Sequence, residues 1–335
     1  MAIQSLGDLA TSTLFRSQNA SLKAEMETLV QELASGQVAI RDTALGGSYR
    51  AISGIESSLT RLDAFDLAAT EAEGFASAVQ TALGDIQETT QDLSIDLLSA
   101  GTSATPAQAQ AVSIAAAQDF EAIVSRMNTN YAGRFVFGGV STDTPPLSDA
   151  SEMLEALEIA VSGETTAAGV ASVVEASFAT GGAFETTPYY QGSSQALAPM
   201  SVASDRSVSI ETTAADEEIR DTLAGVALAV LIVSPALSLS SDEQKSLANL
   251  AGEKLLNTNE DLLLTRSEIG AIQETIEDAQ SESQSERSAL DLALAELLTA
   301  DPYDRATQLQ QVESQIEMLY ALTVRTANLS LSNYL

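Results

Sequence analysis

The sequence predicts a mainly α fold: a long helical-hairpin or coiled-coil rod of paired N- and C-terminal helices, with a small α+β or β-rich insert in the middle. Near both ends of the 335-residue chain, apolar residues recur at alternating spacings of three and four, the period of coiled-coil helices. That period is lost between about residues 140 and 210. Aromatic residues make up only 4 % and Trp is absent, so small and medium aliphatic side chains must fill the core.

The N-terminal half contains the first predicted helices. One apolar face consists of Leu22, Met26, Leu29 and Leu33. Ser35-Gly36 should end that helix, because glycine readily adopts the left-handed conformation of a helix C-terminus. A second helix is predicted from about Arg50 to Ala100. Thr105 is then a candidate N-cap with Pro106 at the first helical position, which predicts a third helix to about Asn130.

The C-terminal half has a matching arrangement. No Gly or Pro interrupts residues 271–300, which predicts an unusually long helix. Asp301 and Pro302 supply a capping residue and a first-turn proline for a last helix. Its apolar face comprises Leu309, Val312, Ile316 and Leu319. Because a single amphipathic helix in water cannot cover its own apolar stripe, the N- and C-terminal helices are expected to pair.

Between these helical blocks lies the predicted insert. Helical patterns span residues 149–161 and 166–178, and they are followed by Gly181-Gly182 and by short alternating pieces such as Ser207–Ile210. The sequence thus predicts three parts. Residues 1–45 with 300–335 form a terminal coiled-coil layer, disordered in the monomer, residues 46–139 with 211–299 form a helical core rod, and residues 140–210 form an outer insert domain.

Charge argues against two classes of partner. The chain has 15 basic and 47 acidic residues, for a formal charge of −32. Phosphate binding needs clustered Lys and Arg, so neither nucleic acid nor an anionic membrane surface is expected as a partner. The longest apolar run, Ala224–Val233, is well short of the roughly 20 residues that span a bilayer. It is predicted to be a buried helix, and the N-terminus lacks the pattern of a cleaved signal peptide.

The chain lacks residue types that most catalytic sites need. The chain has no His and no Cys, so imidazole bases, thiolate nucleophiles and the usual zinc ligands are absent. Carboxylate pairs such as Glu152 and Glu155 are expected by chance among 47 acidic residues. The cluster Asp216, Glu217, Glu218 and Asp221 lacks the spacing of a calcium-binding loop and fits a helix N-terminus better. We therefore expect no enzyme, no cofactor and no metal.

Three segments carry a resemblance to a known family. The first is Asn130-Tyr131-Ala132-Gly133-Arg134-Phe135-Val136-Phe137-Gly138-Gly139, the second is Tyr189-Tyr190-Gln191-Gly192, and the third is the C-terminus from Ala306 to Asn333-Tyr334-Leu335. Together they resemble the flagellin and hook-associated protein family, in particular its hook-associated protein 3 branch. In the first segment we expect Gly133 to end a helix, Phe135–Phe137 to form a buried strand and Gly138-Gly139 to turn.

The resemblance implies a function. It implies a structural subunit of the bacterial flagellum at the hook–filament junction, secreted by type III export and assembled axially through its terminal helices. Its domain-junction motif would comprise Gly133, Arg134, Phe135, Phe137, Gly138, Tyr190 and Gly192. Its axial-assembly interface would comprise Leu22, Met26, Leu29, Leu33, Leu309, Val312, Ile316, Leu319, Leu329 and Leu331.

The same resemblance implies partners. They are the hook-side junction protein, flagellin, further copies of the chain in a ring, and an export chaperone on the C-terminal helices at about residues 300–335. Two alternatives stay open at this stage. The chain could be a flagellin, which would polymerise into long filaments, or an unrelated coiled-coil adaptor, adhesin or carboxylate-based enzyme.

Overall fold

A computed structural model describes residues 2–39, 49–103, 105–186 and 189–332. Long helices dominate these residues, so the mainly α prediction is confirmed. The helices are α1 (Ala2–Ser35), α2 (Tyr49–Ser103), α3 (Pro106–Met127), α4 (Ala150–Val161), α5 (Ala167–Phe178), α6 (Ala183–Thr186), α7 (Glu217–Val230), α8 (Ser241–Leu298) and α9 (Pro302–Ser332). The strands are β1 (Asn130–Tyr131), β2 (Arg134–Phe135), β3 (Met200–Ser201) and β4 (Ser207–Val208).

Helix boundaries follow the local signals in the sequence. Gly36 has φ +71° directly after α1, as expected of a glycine that ends a helix. Thr105 and Gln108 form a reciprocal capping box at the start of α3, which satisfies two backbone N–H groups that the helix leaves free. The Asp301 carboxylate accepts a hydrogen bond of 2.9 Å from the backbone N–H of Tyr303 in α9.

The described chain divides into two compact units, residues 1–62 with 284–335 and residues 63–283. In the second unit, α7 lies at the centre of the core, where Leu223 to Ala229 are almost fully excluded from solvent. The short 3-10 turn Leu231–Val233 extends this buried segment. The apolar run Ala224–Val233 is thus a buried helix, as predicted.

The central region shares this core. Helices α4 and α5 occupy the positions that the sequence predicted, and Met153, Val170 and Phe184 pack in one cluster with Phe75 and Phe120 of α2 and α3. Its regular β structure, among the residues described, consists of the antiparallel pair β3–β4, with Met200 opposite Val208. The three-part division made from the sequence stays a prediction.

One segment folds differently from the sequence-based expectation. Gly133 does not end a helix, because α3 already ends at Met127. Instead, Ala132 (φ 50°) and Gly133 (φ 84°) form the two-residue turn of the β1–β2 hairpin. Positive φ at both turn positions matches the twist of the flanking strands. The strand pairing ends at Phe135 rather than continuing to Phe137.

A polar contact joins α2 and α8 inside the second unit. The Thr90 side chain is fully buried, and its hydroxyl lies 3.0 Å from the amide oxygen of Asn259. Further along, the Gln273 amide donates to a Glu73 carboxylate oxygen at 3.0 Å. Because sliding one helix along the other would break these bonds, they help to fix the register of the two helices.

One stretch, Ala167–Thr186, is long and apolar enough by composition to span a membrane, with a mean hydropathy of 1.2. It is not a continuous helix, since α5 ends at Phe178 and α6 begins at Ala183. A lipid-exposed span cannot leave backbone groups unpaired. Val170, Val174 and Phe178 are also buried in the protein core, so we interpret the stretch as core.

Candidate assembly surface

Helices α1 and α9 of the first unit form an antiparallel pair. Leu29 packs against Val312 and Ile316. Towards the opposite end, the Tyr320 hydroxyl forms hydrogen bonds with the side chains of Asn19 and Lys23, which lower its pKa. The predicted pairing of the first and last helices is therefore present within one chain.

The predicted axial-assembly residues have three different environments. Leu29, Val312 and Ile316 are buried in the seam of the pair, and Leu22, Met26 and Leu309 pack half-buried against them. Leu319 is half-buried, and Leu33 is exposed. Leu329 and Leu331 belong to α9, but their side chains lie outside the described residues. Burial of this set on assembly stays a prediction.

Other apolar residues of the pair project into solvent. Sequence periodicity did not identify them, because they lie off the face that forms the internal seam. The exposed set is Leu14, Val30, Met318, Leu322 and Val324. The available signal was a second apolar stripe, since Met318 and Leu322 are four residues apart and share a helix face. These residues form the candidate surface for a partner.

Two grooves run beside the helix pair. The larger has a volume of about 820 Å³, and Phe15, Arg16, Lys23, Leu319 and Tyr320 line part of it. The smaller has a volume of about 310 Å³ and is lined mainly by polar and aliphatic side chains. The lining residues of the smaller groove are Gln18, Ser21, Leu22, Gln315, Met318, Leu319 and Leu322. Both grooves are lined by apolar and polar side chains together.

A buried ion pair closes the other end of the helix pair. Glu32 is almost fully buried, and its carboxylate oxygens lie 3.2 Å from Arg305 Nε and 2.8 Å from the backbone nitrogen of Ala39, which donates to it. Beside it, the Val38 N–H donates to the Leu298 carbonyl and the Ala300 N–H donates to the Gly36 carbonyl, each at 2.9 Å. These bonds tie the residue stretches after α1 and before α9 together.

The two units differ strongly in charge. Residues 63–283 contain 34 acidic and 7 basic residues, whereas residues 1–62 with 284–335 contain 13 acidic and 8 basic residues. Most of the negative charge of the chain is therefore carried by the second unit. Because the repulsion between two bodies grows with the product of their net charges, copies would approach one another at lower electrostatic cost through the first unit.

The two predicted junction elements meet in the second unit. The Ser193 N–H donates to the Gly138 carbonyl at 2.9 Å, and the Val140 N–H donates to the Gln195 carbonyl at 2.9 Å. Gly139 has φ +60°, and a Cβ there would lie 2.4 Å from the Ser193 carbonyl oxygen. Only glycine fits this close crossing of two backbone segments.

The side chains of the junction motif support that crossing. The Tyr190 hydroxyl donates to the Ser193 carbonyl at 2.8 Å, and burial raises its pKa. Gly192 lies against the Tyr190 ring. Phe137 is fully buried and Phe135 is half-buried.

Arg134 anchors the same hairpin to α2. It forms an ion pair with Glu71, and its guanidinium lies 5.7 Å from the centre of the Phe75 ring. A guanidinium over an aromatic face is attracted by the ring quadrupole. The residues of the motif thus stabilise the β1–β2 hairpin and the backbone crossing beside it.

Acidic clusters have structural roles where the structure describes them. The Asp216 carboxylate accepts hydrogen bonds from the Thr213 backbone and hydroxyl at 2.9 and 2.8 Å, and Asp221 lies 2.8 Å from the Lys254 ammonium. Glu217 and Glu218 lie in the first turn of α7, in agreement with the helix-N-terminus interpretation of that cluster. Within the described ranges, no group of three acidic, His or Cys residues is arranged to hold a metal ion.

The chain thus belongs to a structural class: mainly α proteins whose first and last helices pair and whose middle is inserted between long helices. A solved structure with this fold is that of a candidate flagellar hook-associated protein from Vibrio parahaemolyticus, with a TM-score of 0.53 and 14 % sequence identity. The similarity covers 75 % of this chain and 97 % of the Vibrio chain. No protein-family model and no curated protein sequence matches this chain.

Proposed function

We propose that this chain is a non-enzymatic structural subunit of the bacterial flagellum that forms the junction between hook and filament. It is secreted through the type III export channel and assembles axially through α1 and α9. Its partners are the hook-side junction protein, flagellin and further copies of itself in a ring. An export chaperone covers the C-terminal helix before assembly.

Two observations support a role in the flagellum rather than in another helical assembly. The fold is shared with a protein named as a candidate flagellar hook-associated protein. The sequence segments that resemble the hook-associated protein 3 family include Gly138-Gly139 and Tyr190-Gln191-Gly192, which meet at one backbone crossing. Segments separated by about 50 residues that form one structural element support the resemblance better than either does alone.

The observation that carries the assembly role is the exposed apolar surface of α9. Met318 is 63 % and Leu322 is 44 % exposed, and the two lie four residues apart on one face of a helix that already buries another face against α1. Burying apolar surface contributes about 25 cal/mol per Å², so a neighbouring helix that covered these side chains would be held by them. Exposed apolar stripes of this kind mark interaction sites.

Assembly of purified protein tests the proposal. The triple variant Met318→Ser, Leu322→Ser and Val324→Ser should prevent oligomers that the wild-type chain forms at high concentration, observed by sedimentation and electron microscopy. The matched control is Ile159→Ser, since Ile159 is 69 % exposed but belongs to α4 of the second unit. Equal assembly of the triple variant and the control would contradict an interface on α9.

The form of the oligomers separates the remaining candidates. Short rings that add to isolated hook ends support a junction subunit, whereas long self-polymerised filaments would identify a flagellin. Turnover of a small substrate would instead support the enzyme alternative. Failure of the wild-type chain to bind hooks, flagellin or itself would leave an unrelated adaptor as the better interpretation.

Limited proteolysis with mass spectrometry tests how the terminal pair behaves before assembly. We expect the free chain to lose about 40 residues from each end and to leave a resistant fragment from about 45 to 300, because two helices with exposed apolar faces are marginally stable alone. In assembled material the same segments should be protected. Full protection in the monomer would contradict the proposal that assembly orders the termini.

A further inference from the structure

Charge is unevenly distributed along the α1–α9 pair. We define the tip of the pair as residues 10–24 and 318–326, where the side chains are described. This segment contains three basic residues, Arg16, Lys23 and Arg325, and no acidic residue. All three basic side chains are exposed, and Arg16 and Lys23 line the larger groove. The tip is therefore positive in a chain whose formal charge is −32.

The rest of the pair has the opposite charge. We define the root as residues 25–35 and 302–317. Its acidic residues are Glu25, Glu27, Glu32, Asp304, Glu313 and Glu317. Arg305 is its only basic residue, and Arg305 is already paired with the buried Glu32. The other acidic side chains of the root are exposed, so the root presents net negative charge to solvent.

The groove at the tip and two acidic residues of the root lie on the same side of α9. Glu313 is seven residues before Tyr320 and Glu317 is seven residues before Val324, so each lies on nearly the same face of α9 as its counterpart. Tyr320 lines the same groove as Arg16 and Lys23. The positive groove at the tip therefore continues, along the same side of α9, into a negative stripe at the root.

We propose that a second copy of this chain docks with its helix pair parallel but displaced along the pair axis, so that the positive tip groove of one copy covers the negative root of the next. Copies in register would place root against root and tip against tip, and both contacts are repulsive. A displacement of about 15 Å, or ten helical residues at about 1.5 Å each, brings Arg16 level with the Glu25 and Glu27 segment. Val324, which is 61 % exposed and lies on this side of α9, supplies apolar contact area.

A displaced parallel contact has a consequence for symmetry. Each copy uses a different surface towards its two neighbours, so the contact is heterologous and propagates into rings or helical arrays rather than closing as a two-fold dimer. The inference rests on the proposed function and adds to it the chemistry that sets the axial offset between neighbouring subunits.

Charge reversal tests the proposal. The tip variant is Arg16→Glu with Lys23→Glu, which changes the net charge of the tip from +3 to −1. The root variant is Glu27→Lys with Glu313→Lys and Glu317→Lys, which changes the net charge of the exposed root residues from −5 to +1. These side chains are exposed and lie outside the buried seam. Because Lys23→Glu also removes the hydrogen bond to the Tyr320 hydroxyl, circular dichroism of each variant checks that the helix pair is retained. Each variant alone should need at least ten times the wild-type concentration to assemble in sedimentation and electron-microscopy assays. An equimolar mixture of the two should assemble near the wild-type concentration, because a reversed tip is complementary to a reversed root.

A chain that combines all five substitutions provides the second arm of the test. With both ends reversed in one chain, it should assemble with itself near the wild-type concentration but should not copolymerise with wild-type protein. If the wild type assembles and the mixture is no better than either variant alone, the displaced contact is refuted while the proposed function stands. If the wild type does not associate with itself at all, both the contact and its role in assembly are refuted.

Discussion

Replacing Arg220 by Ala should be among the most destabilising single changes in the second unit. Arg220 is 8 % exposed, and its guanidinium donates to the Phe178 carbonyl at 2.7 Å, to the Ala215 carbonyl at 2.9 Å and to the Thr180 hydroxyl at 3.2 Å. It links the start of α7 to the segment after α5. The substitution leaves two backbone carbonyls in poorly solvated positions without these donors.

The size of the effect follows from those bonds. A hydrogen bond to a charged group contributes about 1.5–3 kcal/mol, and the Phe178 contact is buried. The hydrogen bonds to Ala215 and Thr180 are partly solvated. We therefore expect the free energy of unfolding to fall by about 3 kcal/mol in total. For a unit of this size, each kcal/mol lowers the melting temperature by about 2–4 °C, so the transition should fall by about 6–12 °C.

Thermal unfolding followed by circular dichroism measures this shift. The control is Arg126→Ala, because Arg126 pairs with Asp85 at 3.1 Å but its side chain is 56 % exposed, and exposed ion pairs contribute about 0–1 kcal/mol. Arg220→Met keeps most of the side-chain volume and separates lost hydrogen bonds from lost packing. A melting temperature for Arg220→Ala within about 2 °C of the control would refute the reasoning.

Three further predictions concern single positions. Gly139→Ala should lower the melting temperature by several degrees, because its Cβ would overlap the backbone oxygens 2.4 and 2.5 Å away; an unchanged transition would exclude the close crossing. Gly270→Ala should instead stabilise α8 by about 0.5–1 kcal/mol, measured by chemical denaturation, since nothing lies within 4 Å of the added Cβ. Burial, followed by the neighbouring Asp92 and Asp96, raises the pKa of Asp119. The charged form therefore costs stability above the folded-state pKa, and the cost disappears on acidification towards the unfolded-state pKa. Asp119→Asn should thus stabilise by at most about 1 kcal/mol at neutral pH, with discounting for partial exposure, and by nothing below about pH 4; a pH-independent gain would contradict this cause.

The helices could be predicted from the sequence because their signals are local. Gly36, Thr105 and Asp301 act through the backbone groups of adjacent turns, so their effects do not depend on the rest of the fold. The β1–β2 hairpin could not be predicted in the same way. Ala132 adopts φ 50° although alanine gives no turn signal, since pairing of the two strands imposes that conformation.

For the candidate surface, prediction from the sequence was limited in a different way. Periodicity identified Leu29 on an apolar face of the first helix and Val312 and Ile316 on an apolar face of the last, and the structure places all three in the seam within one chain. The spacing of apolar residues does not distinguish a face that meets the chain's own partner helix from one that is left for another molecule. Met318 and Val324 were therefore missed, because spacing alone does not show which apolar side chains α1 covers and which remain exposed.

The pairing of α1 with α9 also makes the proposed assembly depend on completion of the polypeptide. Leu29 and Val312 are neighbours in space but are separated by 283 positions in the sequence, so the seam cannot close until almost the whole chain has been made. A chain interrupted before residue 302 would lack α9, the stripe that carries Met318 and the negative face of Glu313 and Glu317. Such a fragment could retain much of the second unit but could not extend an array, so the array would reject incomplete subunits without a separate checking step.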